Sequence, residues 1–561
     1  MWKRLDRTQI TENKSHKNEM TPCCCSFTSS TSISKFISDK PHLSMLENQC
    51  TNMKDLQKIH AHLIKTGLAN DTVAASRVLA FCASPAGNIN YAYMVFRHIQ
   101  NPNLFIWNTI IRGFSNSSNP EAAISLFIDM LVTSTVQPQR LTYPSVFKAY
   151  AQVGLARDGA QLHGRVVKLG LESDQFIRNT IIHMYSNRGF LSEAKRVFDE
   201  ELEFDIVAWN SMVMGLSKCG EVSESRRLFD KMPRRNSISW NSMIGGYVRN
   251  EMYTEALDLF GEMQKEKIKP SEFTMVSLLN ASAQLGAIRQ GEWIHEYIRK
   301  NHIQLNPIVV TAIINMYCKC GSIKKAVQVF EAAPRTGLSC WNSIIMGLAT
   351  NGCEEEALEL FSRLESSSFV PDNVSFLGVL TACSHSGMVE KARKYFSVMR
   401  ETYKIAPSIK HYSCMVDVLG RAGLLEEAEK LIDGMPIKAD TIIWGSLLSS
   451  CRKHRDIEMA KLAAKHVTEL DPSDSCGYVL MSNVYAASSQ FEEAMQERLS
   501  MREQKIEKEP GCSLIEVDGE VHEFIAGGRL HQKAPEIYSL LNGLGFMLQR
   551  NAMGYDELAA Y

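Results

Sequence analysis

The chain has 561 residues, 45% apolar and 22% charged, which is ordinary for a folded protein. Its 61 basic and 62 acidic side chains leave a formal net charge of -1, which excludes nucleic-acid binding driven by bulk electrostatic attraction. Fifteen irregularly spaced cysteines argue for unpaired thiols, and no run approaches the roughly 18 apolar residues of a membrane span, so a soluble chain is expected.

Residues 1–39 match nothing downstream. From Met20 to Ser38 there is no Asp or Glu, nine Ser or Thr residues occur, and Lys35 is the only charge. A Ser-rich, acid-poor leader has the composition of an organelle transit peptide. Its poverty in Arg favours the chloroplast, with the mitochondrion as the alternative. Asp6, Glu12 and Glu19 fit the pattern less well, and a start at Met20 would give a cleaner leader. The triplet Cys23-Cys24-Cys25 falls in this leader and is read as unstructured rather than metal-binding.

From Lys40 onward the sequence repeats. Trp107-Asn108, Trp209-Asn210, Trp240-Asn241 and Trp341-Asn342 share one phrase, while Met184-Tyr185 and His163 return 132 residues later as Met316-Tyr317 and His295. Units begin near Lys40, Thr72, Leu104, Arg140, Gln175, Ile206, Ser237, Glu272, Pro307, Leu338, Asn373 and Ile409, with lengths of 31, 32, 35 or 36 residues. Within 237–271, Trp240, Met243, Ile244 and Tyr247 form one helical stripe, and Ala256, Phe260 and Met263 form a second. Each unit is therefore expected to be a helix–turn–helix. Its turn falls near Asn250, or near Gly189, Gly220, Gly321, Gly352 and Gly423 in sister units, where glycine tolerates the left-handed conformation that closes a helix. A pair this short buries its apolar face only by stacking on its neighbours, so the expected fold is an all-α superhelix.

This rotation of lengths closely resembles the plant pentatricopeptide repeat (PPR) family, in its PLS subgroup of P, long (L) and short (S) repeats, and the resemblance implies an all-α, right-handed superhelical solenoid. The P units look like 104–139, 237–271 and 338–372, the L units like 140–174, 272–306 and 373–408, and the S units like 175–205, 206–236 and 307–337. Past Asp440 the phrases change. Residues 441–508, with Gly477-Tyr478-Val479-Leu480, are similar to the E1 and E2 motifs, whose resemblance trails to 517 through Lys508-Glu509-Pro510-Gly511-Cys512. Residues 509–561, with VHEFIAGGRLH at 521–531, resemble a shortened E+ extension. The expected organisation is thus a leader over 1–39, about twelve units over 40–440, E1/E2 over 441–508 and an E+-like end.

The resemblance implies that each repeat faces one RNA base, selected by the fifth and last residues of the unit. Carried over, the pairs are Ser76/Asn103, Asn108/Gln139, Asn179/Asp205, Asn210/Asn236, Asn241/Ser271, Thr311/Gly337, Asn342/Asp372 and Ser413/Asp440. An Asn amide offers donor and acceptor to a pyrimidine edge, whereas a Ser or Thr hydroxyl suits a purine. The apolar second residues Phe105, Phe176, Val207, Ile238 and Ile308 would sandwich the bases, and Ser339 departs from that pattern. Pro144, Val276 and Leu377 stand at the selecting place of the L units and cannot read an edge by hydrogen bonding. The implied target, read 5′ to 3′, is A-Y-n-U-Y-C-n-n-U-n-G, with Y a pyrimidine. Against this stands a plainer role, since Asn or Asp at a helix start is a common capping residue.

Catalytic motifs are missing. A zinc nucleobase deaminase needs His-x-Glu and Pro-Cys-x-x-Cys, and neither occurs; His522-Glu523 has the wrong spacing. Cys318 and Cys320 are read as packing residues, and His454, His522 and His531 as surface histidines. No Walker loop or zincin motif is present. The expectation is a protein without catalytic chemistry, metal or cofactor. It would bind single-stranded organellar RNA and select a C-to-U editing site. By resemblance it would recruit a separate DYW-type cytidine deaminase, together with multiple organellar RNA editing factor proteins. The alternatives are RNA stabilisation, processing or splicing without editing, and a protein-binding helical scaffold.

Overall fold

The computed structural model describes residues 41–199, 205–333, 337–508 and most of 510–558. The leader, Lys40 and the last three residues of the chain lie outside the described residues. The chain divides into two compact units, one ending at Gly215 and the other starting at Leu216. Within each unit the architecture is a stack of antiparallel helix pairs. In the first, the pairs include Leu104–Ser115 with Glu121–Thr133 and Gln175–Ser186 with Leu191–Asp199. In the second, they include Ser237–Arg249 with Tyr253–Lys265, Pro307–Lys319 with Ile323–Ala332, and Leu338–Thr350 with Glu354–Glu365.

First helices are buried over more of their surface than second helices. The helix Pro307–Lys319 buries Val309, Val310, Ala312, Ile313, Ile314, Met316, Tyr317 and Cys318, whereas its partner Ile323–Ala332 buries only Ala326 and Phe330. The repeated tryptophans explain part of this. Trp107 meets Phe96 edge to face at 4.9 Å between ring centroids, Trp240 meets Phe229 at 5.0 Å, and Trp341 meets Phe330 at 4.7 Å. In each case the phenylalanine belongs to the second helix of the preceding unit. Such pairs add about 0.5–1.5 kcal/mol to the burial term. Tyr412 against Phe396, at 5.4 Å, fills the same slot where the phrase lacks tryptophan.

The 132-residue echo of histidine and tyrosine has an equally direct cause. His163 Nδ1 lies 3.2 Å from Tyr185 Oη, and His295 Nδ1 lies 3.0 Å from Tyr317 Oη, so each pair ties one unit to the next. Burial pushes the Tyr317 hydroxyl up to about 12 and holds His295 below the usual histidine range.

First helices approach one another closely where a glycine faces a small side chain. A Cβ on Gly246 would lie 2.4 Å from Ser217 Oγ, and one on Gly347 would lie 2.2 Å from Cys318 Sγ. Cys318 is thus a packing residue. Gly189, Gly220, Gly321, Gly352 and Gly423 all adopt positive φ, as the turn requires. The 237 pair differs: Glu251, with φ 62°, takes the left-handed place. Asn250 keeps a negative φ and donates from Nδ2 to the carbonyls of Ser217 and Gly246, both at 2.8 Å.

The change of phrase at Asp440 is not a change of architecture. Thr441–His454 pairs with Ile457–Leu470, and Ser475–Ala487 with Phe491–Glu503, continuing the stack. Beyond them lies a feature the helical periodicity did not anticipate, an antiparallel hairpin of Cys512–Val517 with Glu520–Ile525, followed by the helix Ala534–Leu558. No described helix is long and apolar enough to cross a membrane.

Candidate nucleic-acid interface

The fifth residue of a unit lies one turn into the first helix, beside the tryptophan or aliphatic residue that packs inward. In most units the last residue caps the first helix of the next, but Gln139 does not stand at the cap and Gly337 has no side chain to cap with. Asn103 Oδ1 accepts from Ile106 N at 3.0 Å, Asp440 Oδ1 accepts from Ile443 N at 3.0 Å, and Asn236 and Ser271 close capping boxes. These caps satisfy helix N–H groups that would otherwise lack partners. At Ser271 and Asp372 capping and contact with the fifth residue coexist at the same side chain.

Three of the expected pairs are joined directly. Asn179 Nδ2 donates to Asp205 Oδ2 at 3.0 Å, Asn241 Nδ2 to Ser271 Oγ at 2.8 Å, and Asn342 Nδ2 to Asp372 Oδ1 at 3.0 Å. Asp372 Oδ1 also takes the Val374 and Ser375 N–H groups, each at 3.0 Å. Four other pairs, Ser76/Asn103, Asn108/Gln139, Thr311/Gly337 and Ser413/Asp440, are not bridged side chain to side chain. Ser76 is buried and donates to Val73 O at 2.7 Å. Thr311 donates to Pro307 O at 2.6 Å, and Gly337 has no side chain to meet it. No hydrogen bond joins Asn108 to the exposed Gln139, or Ser413 to Asp440. Asn210 is buried in the first compact unit, and Asn236 caps its helix in the second.

L units engage their last residues elsewhere. Asp174 forms an ion pair with Arg140, and Asn306 donates from Nδ2 to Glu272, in both cases the first residue of the same unit. Their fifth residues, Pro144 and Val276, leave these caps with nothing to bridge.

The second-position residues Phe105, Phe176, Val207, Ile238 and Ile308 are all exposed, between 49% and 67%. Large apolar side chains held in water at one place of successive units mark a contact surface. Residues overlooked in the sequence share that register: Leu141, Phe273 and Val374 in the L units, and Ile442 beyond the array, are exposed as well. Apolar second positions therefore recur in the L units as well, with Ser339 and Lys410 as exceptions elsewhere. Phe273 lies over Gly245, its ring atoms 3.3–3.4 Å from where a Cβ would stand.

Within the first compact unit, a groove of about 430 Å³ runs along the fifth-position face, lined among others by Arg112, Lys148, Asn179, His183 and Val207. Lys148 Nζ donates to Asn116 Oδ1 at 2.6 Å. Basic groups thus stand beside an amide and an apolar side chain, so that charge is concentrated locally although the chain is neutral overall. Among the described residues no cluster of His, Cys, Asp or Glu could hold a metal ion.

Known proteins match this arrangement. The family model described as PPR repeat matches residues 105–132, 176–200, 207–237, 308–337, 339–369, 374–402 and 410–438, that described as PPR repeat family matches 235–284, and that described as E motif matches 454–516. A chloroplastic pentatricopeptide repeat-containing protein of Arabidopsis thaliana, At2g42920, is 64% identical over 93% of this chain and 94% of its own length. A mitochondrial Arabidopsis relative, At2g22410, is 37% identical over 92% of this chain and 91% of its own. The crystal structure of maize PPR10 shares the fold, with a TM-score of 0.50 at 18% identity over 80% of this chain and 71% of that one. The chloroplast assignment drawn from the leader agrees with the 64% identical relative. The stacked helix pairs, the repeat matches and this relative together show that the chain belongs to the pentatricopeptide repeat family and carries an E motif behind its repeats.

Proposed function

We propose that this protein binds single-stranded organellar RNA one base per repeat and selects a cytidine for C-to-U editing. The observation that carries the reading is the direct bridge from fifth to last residue in Asn179–Asp205, Asn241–Ser271 and Asn342–Asp372. Each bridge presents a paired donor and acceptor beside exposed apolar side chains, which is what reading a base edge and holding its face require. A peptide-binding scaffold has no need of a fixed amide at the same place of successive units.

The leader over 1–39 directs import, residues 40–440 read the RNA, and 441–508 with the E+-like 509–561 recruit a deaminase supplied by another protein. The E motif over 454–516 supports this last step. The protein contributes no chemistry of its own; it positions the target for a DYW-type cytidine deaminase, with editing-factor proteins as further partners. The test is deep sequencing of chloroplast and mitochondrial transcripts from a plant lacking the protein. One or a few sites reverting to C, each downstream of a sequence compatible with A-Y-n-U-Y-C-n-n-U-n-G, is the expected result. Unchanged editing with a lost or misprocessed transcript would replace editing by RNA stabilisation or processing. No RNA change at all would favour a protein-binding role.

A further inference from the structure

In all three P units the fifth-position asparagine meets a buried hydroxyl from the third position of the following L unit. Thr142 Oγ1 donates to Asn108 Oδ1 at 2.7 Å, Thr274 Oγ1 donates to Asn241 Oδ1, and Ser375 Oγ donates to Asn342 Oδ1 at 2.6 Å. All three hydroxyl residues are at most 1% exposed. Each hydroxyl oxygen also receives a backbone N–H from the last residue of the P unit: Gln139 N at 3.1 Å, Ser271 N at 2.9 Å and Asp372 N at 3.1 Å. A hydroxyl has one proton. At Thr142 and Thr274, with the oxygen accepting from the backbone, that proton is directed at the asparagine; Ser375 Oγ also lies 3.0 Å from Asp372 Oδ1, but its contact with Asn342 Oδ1 is the shorter at 2.6 Å.

The consequence is a fixed carboxamide. An asparagine side chain turned over by 180° exchanges donor for acceptor with almost no change of shape. Here Oδ1 must face the hydroxyl, so Nδ2 faces the last residue, as it does toward Ser271 and Asp372. In the 241 unit the arrangement closes into a ring, because Ser271 Oγ lies 3.0 Å from Thr274 Oγ1. S units lack it. Ala208 occupies the corresponding place after Asn179, and Cys340 after Thr311, where its Sγ is 3.3 Å from the threonine hydroxyl.

We propose that Thr142, Thr274 and Ser375 are positioning residues for base selection. L units, whose own fifth residues cannot read an edge, set the specificity of the P unit before them by holding its asparagine with an N–H toward the base. A fixed donor matches the carbonyl acceptors of a pyrimidine and opposes the amino group of adenine. The proposal rests on base reading by the fifth residue, and the experiment separates the two.

The probe is an RNA written to A-Y-n-U-Y-C-n-n-U-n-G, bound to the full chain and followed by fluorescence anisotropy. In this string Asn241 faces the sixth nucleotide, Asn342 the ninth and Asn179 the fourth. Thr274→Val keeps shape and removes the hydroxyl; it should reduce the preference for C over A at the sixth nucleotide by about three- to tenfold. Preference at the fourth nucleotide should not change, and Thr274→Ser should keep the original ratio. Ser375→Ala repeats the test at the ninth nucleotide, should the first variant fail to fold. An unchanged sixth-position ratio in folded Thr274→Val, with Asn241→Ala abolishing it, would overturn the positioning role alone. An unchanged ratio in Asn241→Ala, or no binding of the probe by the unaltered chain, would overturn base reading itself.

Discussion

Asp372 is where capping and base reading can be pulled apart. Its Oδ1 holds the Val374 and Ser375 N–H groups and the Asn342 amide, all at 3.0 Å. Asp372→Ala removes an N-cap worth about 1 kcal/mol, within a range of about 0.5–2. It also removes the acceptor beside Asn342, and a good bidentate contact discriminates between bases by about 1–3 kcal/mol, or roughly five- to 150-fold in affinity. Asp372→Ser keeps a competent cap, so its stability should stay within a few tenths of a kcal/mol, while its preference at the ninth nucleotide should change. Asn342→Ala should do the reverse of a cap mutation, leaving the Val374 and Ser375 amides protected. Native-state hydrogen exchange at those two amides reports the cap, because stack stability is a sum of local terms and a global melt would dilute it. Anisotropy with RNAs varied at the ninth nucleotide reports the reading. If Asp372→Ala loosens the two amides yet leaves the ninth-nucleotide preference intact, the residue is a cap and nothing more, and the base-reading assignment fails at its best-formed pair.

Other perturbations probe the stack and its surface. Trp240→Ala empties a fully buried site against Phe229 and should cost about 3–5 kcal/mol, seen in chemical denaturation as a loss of cooperativity between the 206 and 237 pairs. Gly347→Ala drives a methyl against Cys318 and should destabilise by about 1–3 kcal/mol, whereas the double variant with Cys318→Ala should recover part of that loss. Burial lowers the pKa of His60, His295 and His411, so the folded state resists their protonation. The unfolded chain then binds more protons once pH falls below about 6.5, and stability should decline from there toward pH 5. Denaturation at pH 7.5 and 5.5 checks this, and His295→Gln should flatten the slope. Ile308→Ser removes an exposed apolar contact; it should weaken RNA affinity without altering the melting transition, and equal affinity would remove the sandwiching role.

Much of the architecture was legible in the chain. Helical stripes such as Trp240, Met243, Ile244 and Tyr247 repeat because each pair solves the same packing problem, so one unit announces the others. The left-handed glycines at the turns were equally plain, because few other residues take that conformation without strain. Glu251 shows the limit of that inference: once Asn250 anchors on Ser217 O and Gly246 O, the neighbouring residue is carried into the left-handed region. The hairpin Cys512–Val517 with Glu520–Ile525 carries no helical stripe, and two six-residue runs are too short to be told from other short apolar runs by period alone.

The site divides along the same line. Register in the chain nominated Asn179, Asn241 and Asn342 with their last residues, because a repeated amide at one place of a repeated helix is visible as a string. Which partners those amides have is decided by distance across units, some 26 to 33 residues apart in sequence. Only packing could show that Ser76 turns back on Val73 O, that Gln139 stays away from Asn108, and that Thr142, Thr274 and Ser375 aim their protons at an asparagine in the unit before. Periodicity reports what a residue repeats, and a hydrogen bond depends on what else arrives within 3 Å of it.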